Sequence, residues 1–118
     1  MALVALARTT TFHGWDIDLD IAVRNQSLKP VTVTFVRALA RRGDQGFRCE
    51  LLPDDRALEE DEDQHCASHW LPWRSSASHL VRIYEAGFVP ESITLVVRVR
   101  GQQHVLEVDT AHLQTPMN

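Results

Sequence analysis

The sequence predicts an all-β protein, an antiparallel β-sandwich of about seven strands with a long acidic loop. Apolar and polar residues alternate with a period of two in several segments, as they do along half-buried strands. Clusters of turn-forming residues separate these segments, and helical periodicity is weak. The composition fits a globular domain, since 44% of the 118 residues are hydrophobic and 24% are charged.

The first three strands follow from this alternation. Residues 3–12 supply one strand, and the next begins near Trp15. That second strand has an apolar face and a charged face: Ile17, Leu19, Ile21 and Val23 against Asp16, Asp18, Asp20 and Arg24. Residues 25–30 carry turn formers, and a third amphipathic strand follows from Val31 to Phe35. Two such strands joined by a short polar loop predict an antiparallel hairpin.

The later strands are separated by clear turns. A turn at 43–46 precedes a short strand over 47–52, and another strand begins near Ser78. Residues 93–100 carry the strongest strand pattern, and 104–109 return along it after a turn at Gly101 and Gln102. We therefore predict a single β-sandwich domain over 1–118, with the acidic loop at about 54–65 and a frayed tail at about 111–118. Eight apolar residues are expected to share one core: Ile17, Leu19, Ile21, Val23, Val33, Phe35, Leu95 and Val97.

Three segments resemble bacterial immunoglobulin-like or fibronectin type III-like sandwiches. IAVRNQSLKPVTVTFV is similar to their second-to-third-strand region, in which an alternating strand leads through Asn and a polar turn to Pro-Val-x-Val. LPWRSSASHLVRI resembles a loop followed by a strand, and VVRVRGQQHVLEV resembles the terminal hairpin. The resemblance implies an immunoglobulin-like sandwich from about Trp15 to Asp109. Such modules bind, space or assemble other components and share no catalytic residues.

Charge and hydropathy narrow the expected partners and location. The net charge is −4 and the pI is about 5.8. Nucleic-acid binding usually needs a basic patch, and neither value indicates one, so we expect no nucleic-acid partner. No apolar run approaches the roughly 20 residues that span a bilayer, so we expect no membrane association. The N-terminus lacks a signal-peptide pattern, and a cytoplasmic location is the expectation. The sequence leaves the oligomeric state open.

The spaced aspartates of the second strand raise the question of a calcium site. An EF-hand loop also begins D-x-D-x-D, but it requires Gly at its sixth position and Glu at its twelfth. Here those positions hold Ile21 and Ser27. We therefore expect Asp16, Asp18 and Asp20 to form the solvated, metal-free face of a strand.

The acidic loop and the neighbouring tryptophans are the predicted partner-binding site. Seven carboxylates between Asp54 and Asp63 would attract a basic protein, although such a segment can also be a plain solvated connection. Trp70 and Trp73 flank Pro72 and can form a binding hot spot, or one of them can fill the core. The predicted contact residues are Glu59, Glu60, Asp61, Glu62, Trp70 and Trp73.

Cysteine and histidine offer the remaining chemistry. Cys49, His65, Cys66 and His69 could bind zinc, but no C-x₂-C pair is present. Buried free thiols are favoured over a zinc site or a Cys49–Cys66 disulfide. Ser78 and His79 would point to opposite faces of a strand and cannot pair directly. No catalytic motif is present. We expect no enzyme activity, no catalytic residues, no metal and no cofactor.

The predicted function is a non-catalytic protein-interaction or structural module, such as a subunit of a larger bacterial or phage assembly. Its partner would be another protein, and a basic protein if the acidic loop is the contact surface. The alternative is a small metal-dependent or Cys/His hydrolytic enzyme built around Cys66 and the neighbouring histidines. A third possibility is a regulator that binds a small ligand, which would require a pocket.

Overall fold

Nine β-strands make up the framework in a computed structural model that describes residues 2–52, 68–111 and 113. They are, in chain order, β1 (Leu3–His13), β2 (Asp16–Asn25), β3 (Val31–Arg42), β4 (Gln45–Phe47), β5 (Cys49–Leu51), β6 (Ser68–Leu71), β7 (Ser76–Ile83), β8 (Ser92–Val99) and β9 (Gln102–Asp109). The all-β prediction is confirmed. Two short strands, β4 and β5, replace the single one expected over 47–52, because the chain changes sheets at Arg48.

The strands form two layers that β1 joins into a nearly closed sheet. The order is β4-β3-β8-β9-β1-β2-β7-β5, and β6 pairs with the other edge of β3. β1 pairs with β2 in antiparallel fashion and with β9 in parallel fashion, so it belongs to both layers. No helix in the described part of the chain is long and apolar enough to cross a membrane.

The predicted hairpin between the second and third strands is wrong. β2 pairs with β1 and β7, whereas β3 pairs with β4, β6 and β8 in the opposite layer. Residues 26–30 therefore cross between layers. The alternation correctly predicted which face of each strand is buried. However, the two buried faces pack against each other across the core, and the strands are not neighbours in one sheet.

Asn25 anchors this crossing. Its side chain is fully buried, and its amide donates to the carbonyl oxygens of Lys29 (2.8 Å) and Leu71 (2.9 Å). Its side-chain oxygen accepts from the Ser27 amide (2.8 Å), as in an Asx turn. These bonds hold the crossing loop against the end of β6, and they fix the backbone around Lys29.

The core lies between the two layers. All eight residues expected to share it are buried, none more than 1% exposed. Phe35 is central, with the His69 and His79 rings packed against it at centroid distances of 5.4 and 5.7 Å. Truncation of such a ring to alanine typically costs about 3–5 kcal/mol of unfolding free energy.

Candidate functional site

Both tryptophans of the predicted partner-binding site lie on the surface. Trp70 is 66% exposed and Trp73 is 49% exposed. The alternative that one of them fills the core is wrong, because the adjacent Leu71 takes the inward position on β6. Trp15, at the start of the second strand, is 76% exposed and rests one edge near Gly87. Glu59, Glu60, Asp61 and Glu62 lie outside the described residues, so their predicted role stays a prediction.

Trp70 borders a shallow trough on the outer face of one sheet. In the register, Trp70 is opposite Thr32, and Thr34 lies between Ser68 on one side and Arg98 on the other. The threonines form the floor, and Arg98 and Arg100 form the wall that faces Trp70. We call this site the Trp70 trough; its volume is about 420 Å³, with Pro30, Val31 and Gly101 completing its lining. β6 and β8 flank β3, so the two walls are about 10 Å apart at the backbone.

Two further cavities continue around the same end of the molecule. The loop cavity, about 350 Å³, shares Pro30, Val31 and Arg100 with the trough and adds Lys29, Gln102 and His104. A third cavity, about 320 Å³, is lined by Arg24, Gln26, Trp73 and Arg74. Within the described residues, the linings of these three cavities contain no aspartate or glutamate. A chain with net charge −4 therefore has one end where the charged residues that line the cavities, among the described residues, are all basic.

The cations of this end have no carboxylate partners in the described part of the chain. Among the described residues, the salt bridges involve a single carboxylate, that of Asp18, which binds His13 and Arg82. The basic residues that line the three cavities are Arg24, Lys29, Arg74, Arg98 and Arg100. Arg74 lies over the Trp73 ring at 4.4 Å, an arrangement that keeps its guanidinium charge available. Unpaired guanidinium groups around a concave surface can bind an anion through two parallel hydrogen bonds each.

Two of these arginines have a positive φ, a backbone conformation that non-glycine residues rarely adopt. Arg100 and Gly101 form the two-residue β8–β9 turn with φ of 53° and 78°. Positive φ at both positions is typical of a type I′ turn, where Asn-Gly is the preferred pair. Arg74 also has positive φ, at 62°. Three non-glycine residues in the described ranges have positive φ, and the third is Glu85, at the β7–β8 connection. Strained backbone of this kind is enriched at functional sites.

The aspartates of β2 form a different kind of charged cluster. Asp18 is only 8% exposed, so the expectation that all three aspartates are solvated is wrong for this one. Arg82 donates to both of its carboxylate oxygens, at 2.8 and 3.0 Å, and His13 lies 3.0 Å away. The hydrogen bond from Arg82 is the main cause that lowers the Asp18 pKa, and His13 adds to it. The register places Asp18 directly opposite Arg82, which sequence alternation alone did not reveal.

The cysteine and histidine candidates do not converge in the described residues. Cys49 on β5 has a half-buried free thiol, and burial raises its pKa to about 11, so it is protonated at neutral pH. His69 packs on Phe35 from β6, while His65 and Cys66 lie outside the described residues. Within the described ranges, no group of three or more His, Cys, Asp or Glu side chains could hold a metal ion. Ser78 is exposed and His79 buried, which confirms that the two point to opposite faces.

The comparisons with known proteins give distant structural likeness only. No protein-family model matches the chain. No curated protein matches it. The apo PCuAC domain from PmoF1 is 15% identical, with a TM-score of 0.46 over 90% of this chain and 88% of that one. The copper-bound PCuAC domain from PmoF2 is 14% identical, with a TM-score of 0.42 over 92% and 89%. An exo-β-N-acetylglucosaminidase from Vibrio harveyi is 11% identical over 98% of this chain and 19% of that one, with a TM-score of 0.41.

These similarities correct the functional prediction. The comparison does not support the predicted interaction or structural module, and it does not support the alternative of a small hydrolase. The similar structures include PCuAC domains, one of them copper-bound. The expected absence of enzyme activity stays a prediction. A protein partner remains compatible with the comparison. No immunoglobulin or fibronectin type III family is confirmed. At these identities and TM-scores the likeness does not identify a ligand for this chain, so its ligand has to be inferred from its own residues.

Proposed function

We propose that this protein is a binding domain for an anionic ligand, which it holds in the Trp70 trough. The observation that carries the proposal is an exposed indole that faces, across a hydroxyl-lined floor, two arginines with no carboxylate partner among the described residues. The indole offers an apolar face, Thr32 and Thr34 offer hydroxyl groups, and the guanidinium groups of Arg98 and Arg100 offer charge-assisted hydrogen bonds. The volume of about 420 Å³ falls within the range of small-ligand sites.

The electrostatics of this end favour an anion over a cation. A concave surface with one sign of charge concentrates the field in its interior and attracts ligands of the opposite sign. Arg98 and Arg100 lie two residues apart on β8 and its turn, so both side chains project to the same outer face. The ligand therefore meets two guanidinium groups together, and their attraction weakens as salt is added.

Strain at Arg100 adds independent support. An asparagine or glycine would relieve the positive φ at the first position of the turn. Arginine at that position costs stability, of order 1 kcal/mol for a non-glycine residue in this region. The cost is understandable if the guanidinium group contributes to binding.

Calorimetric titration with tripolyphosphate tests the proposal. We expect saturable binding by the native protein that weakens with added salt. The double variant R98Q/R100Q should lose about tenfold or more of the affinity, because hydrogen bonds to charged groups are worth about 1.5–3 kcal/mol each. The matched control is R37Q/R41Q, which removes the same charge from exposed positions of β3 outside the trough.

The outcome separates local recognition from general attraction. Equal loss of affinity in the two double variants would show that net charge alone governs binding, and it would contradict the proposed site. The same titration with Cu(II) tests the ligand held by one of the similar domains, since imidazole nitrogen is a copper ligand. Tight copper binding without any tripolyphosphate binding would also contradict the proposal. The cytoplasmic location expected from the sequence stays a prediction.

A further inference from the structure

We infer that the anionic ligand is a single strand of nucleic acid, with one base stacked on Trp70 and the adjoining phosphates bound by Arg98 and Arg100. This inference rests on the proposed anion-binding function and names its ligand class. Aromatic platforms beside positively charged grooves are the general means by which proteins bind single strands, because every base offers a flat face and every linkage a phosphate. The trough provides both on one sheet face.

The width of the trough favours a nucleotide over an acidic sugar. The strands that carry Trp70 and Arg98 are separated by β3, so their backbones are about 10 Å apart. In a nucleotide, the flat base and the phosphate lie at opposite ends of a sugar. In a uronic acid, the carboxylate is attached directly to the ring that would pack on the indole. The separation of the aromatic wall from the cationic wall therefore matches the nucleotide better.

The floor of the trough suits an unpaired base of any sequence. The Thr34 and Ser68 hydroxyl groups lie 2.8 Å apart in a mutual hydrogen bond, and the Thr32 side chain is exposed beside Trp70. Hydroxyl groups can both donate and accept, so they can meet the polar edge of different bases without strong discrimination. We therefore expect weak sequence preference. A base within a duplex is already stacked on both faces, so the indole should favour single strands.

The trough continues into the loop cavity, which gives a linear ligand a path. The two cavities share Pro30, Val31 and Arg100. Beyond Arg100, the loop cavity presents the Lys29 ammonium and the Gln102 and His104 side chains. The buried Asn25 side chain holds the Lys29 backbone in place. Arg100 therefore lies between two cavities, where a phosphate shared by two consecutive nucleotides would be bound.

The expectation of no nucleic-acid partner rested on the net charge of −4 and the pI of about 5.8, neither of which indicates a basic patch. The structure removes that ground, because it gathers cations from separate parts of the chain: Arg24 of β2, Lys29 of the crossing loop, Arg74 of the β6–β7 loop, Arg98 of β8 and Arg100 of its turn. A basic surface is a property of the fold as much as of the composition, and net charge −4 describes only the sum.

The test uses a short fluorescein-labelled oligodeoxythymidine and the abasic strand of the same length, with binding followed by fluorescence anisotropy. The thymidine strand should bind more tightly than the abasic strand, since stacking is worth about 1–3 kcal/mol per base. Trp70→Ala should weaken thymidine binding about tenfold and remove the preference over the abasic strand. Trp15→Ala is the matched control, an exposed tryptophan outside the three cavities, and it should change neither affinity.

Salt dependence supplies a second readout that a merely structural role would not change. Three phosphates, on Arg98, Arg100 and Lys29, predict a slope of about −2 in log affinity against log salt. R98Q/R100Q should reduce the steepness by about 1.4, whereas R37Q/R41Q should leave it unchanged.

Three outcomes would overturn the inference in distinguishable ways. Binding of an oligogalacturonate that depends on Arg98 and Arg100, without binding of the thymidine strand, would overturn the nucleic-acid assignment and leave the anion-binding function standing. Strand binding that is indifferent to R98Q/R100Q would overturn both. Equal affinity for the thymidine and abasic strands would exclude stacking on Trp70 and so contradict the assignment.

Discussion

The Asp18 cluster and the Trp70 trough are both charged surfaces on the outer faces of sheets, yet their charges are used in opposite ways. At Asp18, the Arg82 guanidinium group and the His13 ring face one nearly buried carboxylate, and Arg82 binds both of its oxygens. At the trough, Arg98 and Arg100 face an exposed indole, with no carboxylate partner in the described ranges. The first cluster satisfies its own charges, while the second leaves them available.

This difference between the two clusters indicates which charged residues serve the fold and which are available to bind a ligand. A carboxylate whose hydrogen bonds are complete within the fold contributes to the sheet in which it lies, as a cross-strand pair does. Cations that remain without partners beside an exposed aromatic side chain gain most of their interactions only when a ligand arrives.

The largest effect is expected from a substitution at Asn25, whose side chain holds the crossing loop beside the trough. Asn25→Ala removes three hydrogen bonds at the crossing loop and leaves buried backbone carbonyl groups without donors. We expect a loss of about 2–4 kcal/mol in unfolding free energy together with weaker anion binding, because the loop carries Lys29. Urea denaturation and calorimetric titration measure the two. Unchanged stability would show that the loop keeps its position by other means.

Asp18→Asn sharpens the contrast between the two regions. It should lower stability at neutral pH and leave anion binding unchanged, since Arg82 loses its charged partner far from the trough. The Asp18 pKa lies below its ordinary value of 3.8 in the folded protein, so its contribution is present above that value and is lost as the pH falls through the folded pKa. Denaturation curves of native and variant protein should therefore converge in acid. A constant difference at every pH would contradict the ion-pair account.

Arg100→Asn tests the trade between strain and binding. Asparagine suits the first position of a type I′ turn, so we expect stability to rise by roughly 0.5–1 kcal/mol. The same change removes one guanidinium group from the trough and should weaken tripolyphosphate binding about tenfold. Thermal unfolding and titration on the same sample give both values. A variant that gains stability and keeps its affinity would remove Arg100 from the site.

The smallest effect concerns the acidic segment. Neutralising Glu59, Glu60, Asp61 and Glu62 to their amides removes four negative charges that lie 8 to 11 residues before Trp70 in the chain. If the ligand is an anion, affinity should rise about two- to threefold at low salt, and the gain should vanish at high salt. The sequence-based hypothesis of a basic partner predicts the opposite sign. Titration with tripolyphosphate at two salt concentrations decides between them.

Sequence alternation predicted the strands and core well, because burial on one face of a strand leaves a period of two that local reading detects. It wrongly predicted that β2 pairs with β3. The same alternation occurs in two strands that are neighbours in one sheet and in two strands that face each other across a core. It also missed the trough, whose cations come from separate elements and whose Trp70 is brought beside Thr32 only by strand pairing. One local signal was available: in VVRVRG, Arg98 and Arg100 alternate with buried valines, which places both on one outer face.

The most direct test of the central claim uses the three tryptophans as built-in probes. Each indole N–H gives its own signal in a nitrogen–proton correlation spectrum, and Trp70, Trp73 and Trp15 report on the trough, the third cavity and an exposed site outside the three cavities. On titration with the thymidine oligonucleotide or with tripolyphosphate, the Trp70 signal should move most, together with the Thr32 and Thr34 amides, while Trp15 stays fixed. Movement of the Trp15 signal with Trp70 unchanged would contradict the account.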